Sequence, residues 1–372
     1  MKFSKIKYII IFNFILLTAC SQNISDSQPD KPLDSHIEQM KSFLAENGFP
    51  ENLIKSYDSY FLIDEDILIT KSEVKEFLSG KKKQAHGGSG WGLVDIANSS
   101  NITVKAHSSV PTSWKNAIED AIDNWNSIYN TELSFSFETS GATDITVYSD
   151  IYLSGGLPYY VIAAGTPPSS GEPGNSIYIN LDYTPLGGGS VTSSSKIYNM
   201  VHELGHNIGF RHTNWASNPN EPSATTIPRT PTSDSNSIMN SGTADNNWNG
   251  FSSYDKIGTK ILYPTYAGMV MYTPVVQENG FGAGRFVDLT WANIHRDTAL
   301  NYKLYRKEGV SGSWEIIATF NSSPLPGEFT DYVTAPFTGS TTYYYKINAT
   351  FYLARGNESF SRVVSANVSS SF

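Results

Sequence analysis

"VHELGHNIGFRH" (residues 201–212) gathers three of the chain's 7 histidines and one glutamate into one short stretch. An α-helix turns 100° per residue, so His202 and His206, at i and i+4, project from the same face one turn apart. Two imidazoles so placed reach one zinc ion at about 2.0–2.1 Å. Glu203 is adjacent in sequence but rotated round the helix, so it reaches a water on the metal without ligating the metal. Gly209 takes the left-handed conformation that ends a helix at little cost, which lets the chain bend and return His212 as a third ligand. Three protein ligands and one water make a catalytic zinc, whereas a structural zinc is closed by four. Ile197, Met200, Val201, Leu204 and Ile208 form an apolar stripe for the core, and the two helical histidines lie on the order of 160° away from it. A surface helix with solvated histidines would account for neither the glutamate, the glycine nor the third histidine.

His-Glu-x-x-His-x-x-Gly-x-x-His resembles the zinc signature of the metzincin metalloproteases. Those enzymes carry a methionine in a tight turn under the zinc, and Met239 in "SNSIMNSG" (235–242) stands in the matching place. The similarity is closest to the bacterial dual-action HEIGH metallopeptidases, with Leu204 at their usual isoleucine. "GEPGNSIYINLD" (171–182) is similar to the segment that this family has before its zinc helix. The resemblance implies an α+β protease domain, one catalytic Zn²⁺ on His202, His206 and His212, Glu203 as general base, and a protein or peptide substrate; calcium is left open. It also implies that the strand in "NSIYINLD" is the edge strand that binds extended substrate. Several metzincins have a tyrosine two residues after the turn methionine; here that position is Ser241.

At the N-terminus, Lys2, Lys5 and Lys7 precede an apolar stretch from Tyr8 to Leu17 that is too short for a roughly 20-residue span. "LTAC" (17–20) resembles a bacterial lipobox with Cys20 as its lipidated residue; ordinary signal-peptidase cleavage near Ala19 is the alternative. Cys20 is the only cysteine in the chain, so no disulfide and no cysteine-based latency is expected. The expected location is the bacterial cell envelope, anchored by lipid at the outer membrane. A net charge of −9 with no basic stripe argues against nucleic-acid binding. The expected division is a leader over 1–19, a tether over 20–33, a propeptide-like region over 34–84, the peptidase over 85–266 and a β-domain over 267–372.

Along the chain, "SHIEQMKSFLAENGF" reads as a helix with a Ser35–Glu38 capping box and a stop at Gly48. A strand-like core spans Phe61 to Ile69, followed by a short helix, and "GKKKQAHGGSGWG" (80–92) reads as a basic, glycine-rich boundary loop. Strands are expected in 101–107, "LSFSFET", "DITVYSD" and "NSIYINLD", a helix over 112–129 and a closing helix over 251–264. The last hundred or so residues hold six strand candidates: 285–293, 301–309, 314–320, 327–333, 341–351 and 361–368. Trp291 and the run Tyr343, Tyr345, Ile347 and Ala349 resemble a fibronectin type III sandwich.

Three functions are compatible with these features: a zinc endopeptidase, a binding or adhesion lipoprotein with a vestigial protease domain, and a zinc hydrolase of non-peptide amides. The intact Glu203 favours an enzyme. His36, His86, His107 and His295 stand in no ligand spacing. One further resemblance concerns latency. Astacin-type metzincin propeptides place an aspartate on the zinc from a Phe-x-Gly-Asp-type motif, and "YFLIDEDIL" (60–68) is similar, with Asp66 before Ile67 and Glu65 where glycine would sit. The alternative is that Asp64, Glu65 and Asp66 are a solvated turn in a small packing module. In the latency reading, the exposed loop at Lys81 to Lys83 is the place for an activating cut.

Overall fold

Short apolar strands, with two amphipathic helices between them, build a mixed sheet followed by a second, all-β part. The structure, a computed structural model, describes residues 32–80, 92–214, 224–265, 270–278, 284–292, 299–321, 325–334, 336, 338–351 and 359–370. The expected leader, the expected lipidation site at Cys20, the expected tether as far as residue 31 and the basic loop at Lys81 to Lys83 lie outside these residues.

The N-terminal unit begins with α1 (Pro32–Glu46). The helix spans Pro32–Glu46, so Ser35 lies inside it instead of capping it. Proline suits a first helical turn, where its missing N–H would have no partner anyway. Strands β1 (Ile54–Ser56), β2 (Tyr60–Ile63) and β3 (Ile67–Thr70) follow, then α2 (Lys71–Leu78). The single strand expected across 61–69 is thus a hairpin, with Ile63 paired to Ile67. Asp64 and Glu65 turn it at φ 53° and 74°. No glycine or proline announces that turn, and Glu65 holds a conformation that glycine adopts without strain. Met40, Leu44, Phe49, Phe61, Ile69 and Val74 belong to this unit's own apolar cluster.

After the one-turn helix α3 (Ile96–Ser99), strands β4 (Ile102–Ala106), β5 (Phe135–Phe137), β6 (Ile145–Ser149), β7 (Ala163–Gly165) and β8 (Ser176–Ile179) complete an 8-stranded sheet in the order β1-β2-β3-β7-β8-β6-β4-β5. Strands β5, β4, β6 and β8 run parallel, and β7 runs antiparallel to β8. The expected edge strand, β8, is therefore interior. Its outer neighbour β7 was not foreseen, because three small residues, Ala-Ala-Gly, carry no alternation. Onto β7 the N-terminal unit adds β3 in parallel, through the pair Ile67 and Gly165. Tyr60, Leu62 and Leu68 of the hairpin pack against Leu153, Leu157, Val161 and Ala164, and the Tyr60 hydroxyl donates to the carbonyl of Gly156 at 2.6 Å.

Helix α4 (Thr112–Asn126) buries Trp114, Ile118, Ile122 and Trp125 in the apolar core beneath the sheet. Helix α5 (Ser193–Asn207) carries the histidines, with the Thr192 side chain accepting from the main-chain N–H of Ser195 at its start. Helix α6 (Ser253–Leu262) opens on a capping box formed by Ser252 and Asp255. In the C-terminal part, β10 (Gly284–Thr290), β11 (Asn301–Glu308), β12 (Glu315–Phe320), β13 (Glu328–Thr334), β14 (Ser340–Thr350) and β16 (Val364–Ser369) fall on the six candidates, while β9 (Val275–Glu278) and β15 (Ser359–Phe360) are additional. They form one sheet β13-β10-β9 and a second sheet β12-β11-β14-β15, with β16 also on β14. Trp291, Leu304, Tyr345 and Ile347 belong to the apolar cluster that the two sheets share. Among the described residues, no helix is long and apolar enough to cross a membrane.

Candidate metal centre

The last two turns of α5 are buried on every side: Met200, Val201 and Leu204 on the core face, and His202, Glu203 and His206 on the other. Gly209, at φ 101°, turns the chain out of the helix where a side chain would meet the carbonyl of Gly92 at 2.6 Å. Three residues later His212 comes back over the helix. The Nε2 atoms of His206 and His202 lie 3.0 Å apart, and those of His212 and His202 lie 3.3 Å apart.

Hydrogen bonds at the opposite nitrogens fix these rings. Nδ1 of His202 donates to the carbonyl of Ile238 at 2.7 Å, and Nδ1 of His206 donates to that of Phe210 at 2.9 Å. Nδ1 of His212 is hydrogen-bonded to the Asp64 carboxylate. Each Nε2 therefore presents a lone pair to the other two, an arrangement that needs a cation. A tetrahedral zinc with Zn–N near 2.0–2.1 Å sets its ligands about 3.3 Å apart, close to the 3.0 and 3.3 Å observed. Burial pushes the His206 imidazole down to about 4, against the pull of Asp66, and a neutral imidazole is the ligating form. The donor set fits zinc.

The fourth group comes from the N-terminal hairpin. Asp66 Oδ2 lies 2.9 Å from Nε2 of His212 and 3.3 Å from Nε2 of His202, and Oδ1 lies 3.5 Å from Nε2 of His206. The ligand atoms of all four residues fall within 4.8 Å of one another. Burial raises the Asp66 carboxyl, but His212 and His206 outweigh it and hold the group well below the usual carboxylate range. Glu203 sits beside this cluster with its Oε2 buried and unpartnered. Burial and the Asp66 charge push the Glu203 carboxyl well above the usual range, outweighing His212 and the main-chain N–H of Gly165. Gly165 has no side chain where a Cβ would stand 3.0 Å from Glu203 Oε2.

Met239 is buried directly under α5, and a Cβ on Gly205 would lie 2.5 Å from its sulfur. The floor of the site and the glycine of the motif are thus one packing decision. Ser241 holds Asn214 through reciprocal hydrogen bonds near 3 Å and offers no phenol. Two supporting residues escaped the sequence reading. Asp255, the capping carboxylate of α6, accepts from the main-chain N–H of Ile238 at 3.1 Å and from the Ser237 hydroxyl, bracing the methionine turn; the Ser-x-x-Asp spacing of a capping box was its available signal. Asp64 had no such signal, because only the docked hairpin brings it to His212. Of the remaining histidines, His36 is exposed, His107 is bonded to Ser109, and His86 and His295 lie outside the described residues.

A model of the family described as "Dual-action HEIGH metallo-peptidase" matches residues 61–263. No curated protein matches the chain. Among solved structures, high choriolytic enzyme 1, a hatching-enzyme zinc protease from the medaka fish Oryzias latipes, is 20% identical, with 49% of this chain and 98% of that one covered at a TM-score of 0.31. The sensor domain of the anti-sigma factor RsgI4 of Pseudobacteroides cellulosolvens is 14% identical, covering 27% of this chain and 93% of that one at a TM-score of 0.20. At such scores these likenesses carry no weight. The family match covers more than half of the chain and spans the hairpin, the histidine helix and the methionine turn, so this chain belongs to the dual-action HEIGH metallo-peptidase family and is a zinc metallopeptidase.

Proposed function

We propose that the chain is an endopeptidase in which His202, His206 and His212 hold one zinc ion and Glu203 is the general base. The observation that carries this reading is the convergence of three Nε2 atoms, each turned inward by a hydrogen bond at Nδ1, with Glu203 Oε2 unpartnered beside them. Zinc, when bound, polarises a peptide carbonyl, lowers the pKa of an adjacent water and offsets the negative charge that Asp66 and Glu203 share. Glu203 takes the proton from the attacking water and delivers it to the leaving amine. Met239 packs beneath the ligands and takes no part in proton transfer. Strand β7 offers main-chain groups to an extended peptide by β-augmentation, and a substrate lying along it would pass through the site on both sides, which suits cleavage of an internal bond.

In the same reading, the N-terminal unit holds the enzyme latent. Asp66 stands at the fourth ligand position, and β3 occupies the side of β7 that a peptide would use. The activating cut at Lys81 to Lys83, the leader, lipidation at Cys20 and an outer-membrane location remain parts of the proposal that rest on the sequence alone. The division into propeptide-like region, peptidase and β-domain belongs to the proposal as well, as does the fibronectin type III reading of residues 267–372. For the last, the grouping of three strands against the other five supports the resemblance. The decisive experiment compares Glu203→Ala with its parent in an Asp66→Ala background, on a quenched peptide library. Loss of cleavage with zinc retained is the expected result; equal cleavage by both proteins rejects Glu203 as the base.

A further inference from the structure

Asp64 and Asp66 leave one tight turn and reach the two ends of a single imidazole. Asp66 Oδ2 lies 2.9 Å from Nε2 of His212, the metal-facing nitrogen. Asp64 is bonded to Nδ1 of the same ring. The comparison with the other two histidines gives this pairing its meaning. Nδ1 of His202 and Nδ1 of His206 each donate to a main-chain carbonyl, from Ile238 and Phe210, both within the peptidase core. His212 instead has a carboxylate on Nδ1, and that carboxylate belongs to the N-terminal hairpin. The Asp64 side chain is largely buried, at 14% exposure. Arg211 faces the Asp64 charge and lays its guanidinium 4.0 Å from the centre of the Phe49 ring, again in the N-terminal unit. The loop that carries the third ligand is thus shaped by residues from outside the peptidase core.

A carboxylate on the far nitrogen of a ligating histidine fixes its tautomer and makes the ring a stronger donor to metal. We infer that Asp64 is a positioning residue for the metal: through His212 it tightens zinc binding, so the hairpin that blocks the site with Asp66 also secures the ion with Asp64. This rests on the reading of His212 as a zinc ligand. It follows that the chain holds zinc most tightly while the hairpin is docked. Loss of the hairpin opens the site and, in the same step, relaxes its third ligand.

The test is Asp64→Asn in the full chain. Asparagine adopts the positive φ of this turn as readily as aspartate does, and its carbonyl still accepts from Nδ1, so the turn and the hydrogen bond persist while the charge is removed. Zinc affinity is read by competition with a chromophoric chelator, and the environment of the metal by the absorption bands of the cobalt-substituted protein. The expected result is zinc binding weakened about 10- to 100-fold with shifted cobalt bands. Thermal unfolding should be unchanged in chelator, and the variant should differ from its parent only when zinc is present. Affinity within twofold of the parent, or an equal loss of thermal stability with and without zinc, overturns the inference and leaves Asp64 as a brace for the turn. A parent chain that binds no zinc would refute the metal site itself, which separates the two failures.

Discussion

Helix α5 and the β2–β3 turn place their side chains in the same cluster, yet they arrive there by different physics. The helix is held by the peptidase core: Met200 and Val201 are fully buried, and the indole N–H of Trp125 donates to the carbonyl of Val201 at 3.0 Å. The turn is held by docking, through a single β-pair at Ile67 and Gly165 and an apolar patch around Tyr60, Leu62 and Leu68. Its unit has an apolar cluster of its own. In the proposed reading the core stays and the docked unit leaves, so the same carboxylate chemistry serves catalysis at Glu203 and occupancy at Asp66.

The sharpest way to break this comparison is to remove each carboxylate in turn. In a chain with the site open, Glu203→Ala should lower kcat about 10²–10⁴-fold, the usual worth of a general acid–base group, while metal analysis still finds zinc. Asp66→Ala should act in the opposite direction, raising cleavage of a short peptide by the full-length chain on the order of tenfold or more, since an intramolecular ligand acts at millimolar effective concentration. Equal rates for Asp66→Ala and the parent would mean that the hairpin merely packs beside the site.

How much of this was legible in sequence follows the same division. His202, Glu203, His206, Gly209 and His212 could be read because helical spacing is local, and Met239 followed from the motif. Asp66 could be named only through a loose resemblance, and Asp64 not at all, since nothing within a few residues of it indicates a histidine 148 positions away. The order of strands suffered for the same reason. Strand β8 alternates and was found; β7 is three small residues whose role is set by its neighbours. The turn at Asp64, Glu65 and Asp66 could be read, but its place beside His212 and the position of β7 between β3 and β8 are set by neighbours far off in sequence, which no local pattern encodes.

A change in the fixed half should cost stability as well as activity. Gly209→Ala forces a Cβ to within 2.6 Å of the Gly92 carbonyl at a φ of 101°, where alanine is strained as well as crowded. A loss of about 2–3 kcal/mol is expected, together with reduced zinc content, because His212 depends on this bend. Chemical denaturation and metal analysis of the same preparation would check both. Full zinc occupancy with unchanged stability would show that the loop has another way to deliver its histidine.

The smallest effect is expected far from the site and sharpens the comparison from the other side. In the C-terminal part, Asp331 is also a buried carboxylate, but its partners are donors. Arg306 contributes two hydrogen bonds of 3.0 and 3.1 Å, and the Tyr345 hydroxyl one of 2.9 Å. These residues lie on β13, β11 and β14, so the cluster joins the two sheets. The partners of Asp331 belong to the same two sheets, whereas Asp66 is set against three imidazoles from outside its own unit. Tyr345→Phe removes one donor and leaves Asp331 paired with Arg306, so the carboxylate is not orphaned and the cost should be about 1.5 kcal/mol. Calorimetry of the full chain should show the unfolding of the β-part moved to lower temperature, with peptide cleavage by an Asp66→Ala background unchanged. A fall in cleavage would mean that the two parts are coupled, and that the separation between a fixed core and detachable units stops short of the C-terminal sheets.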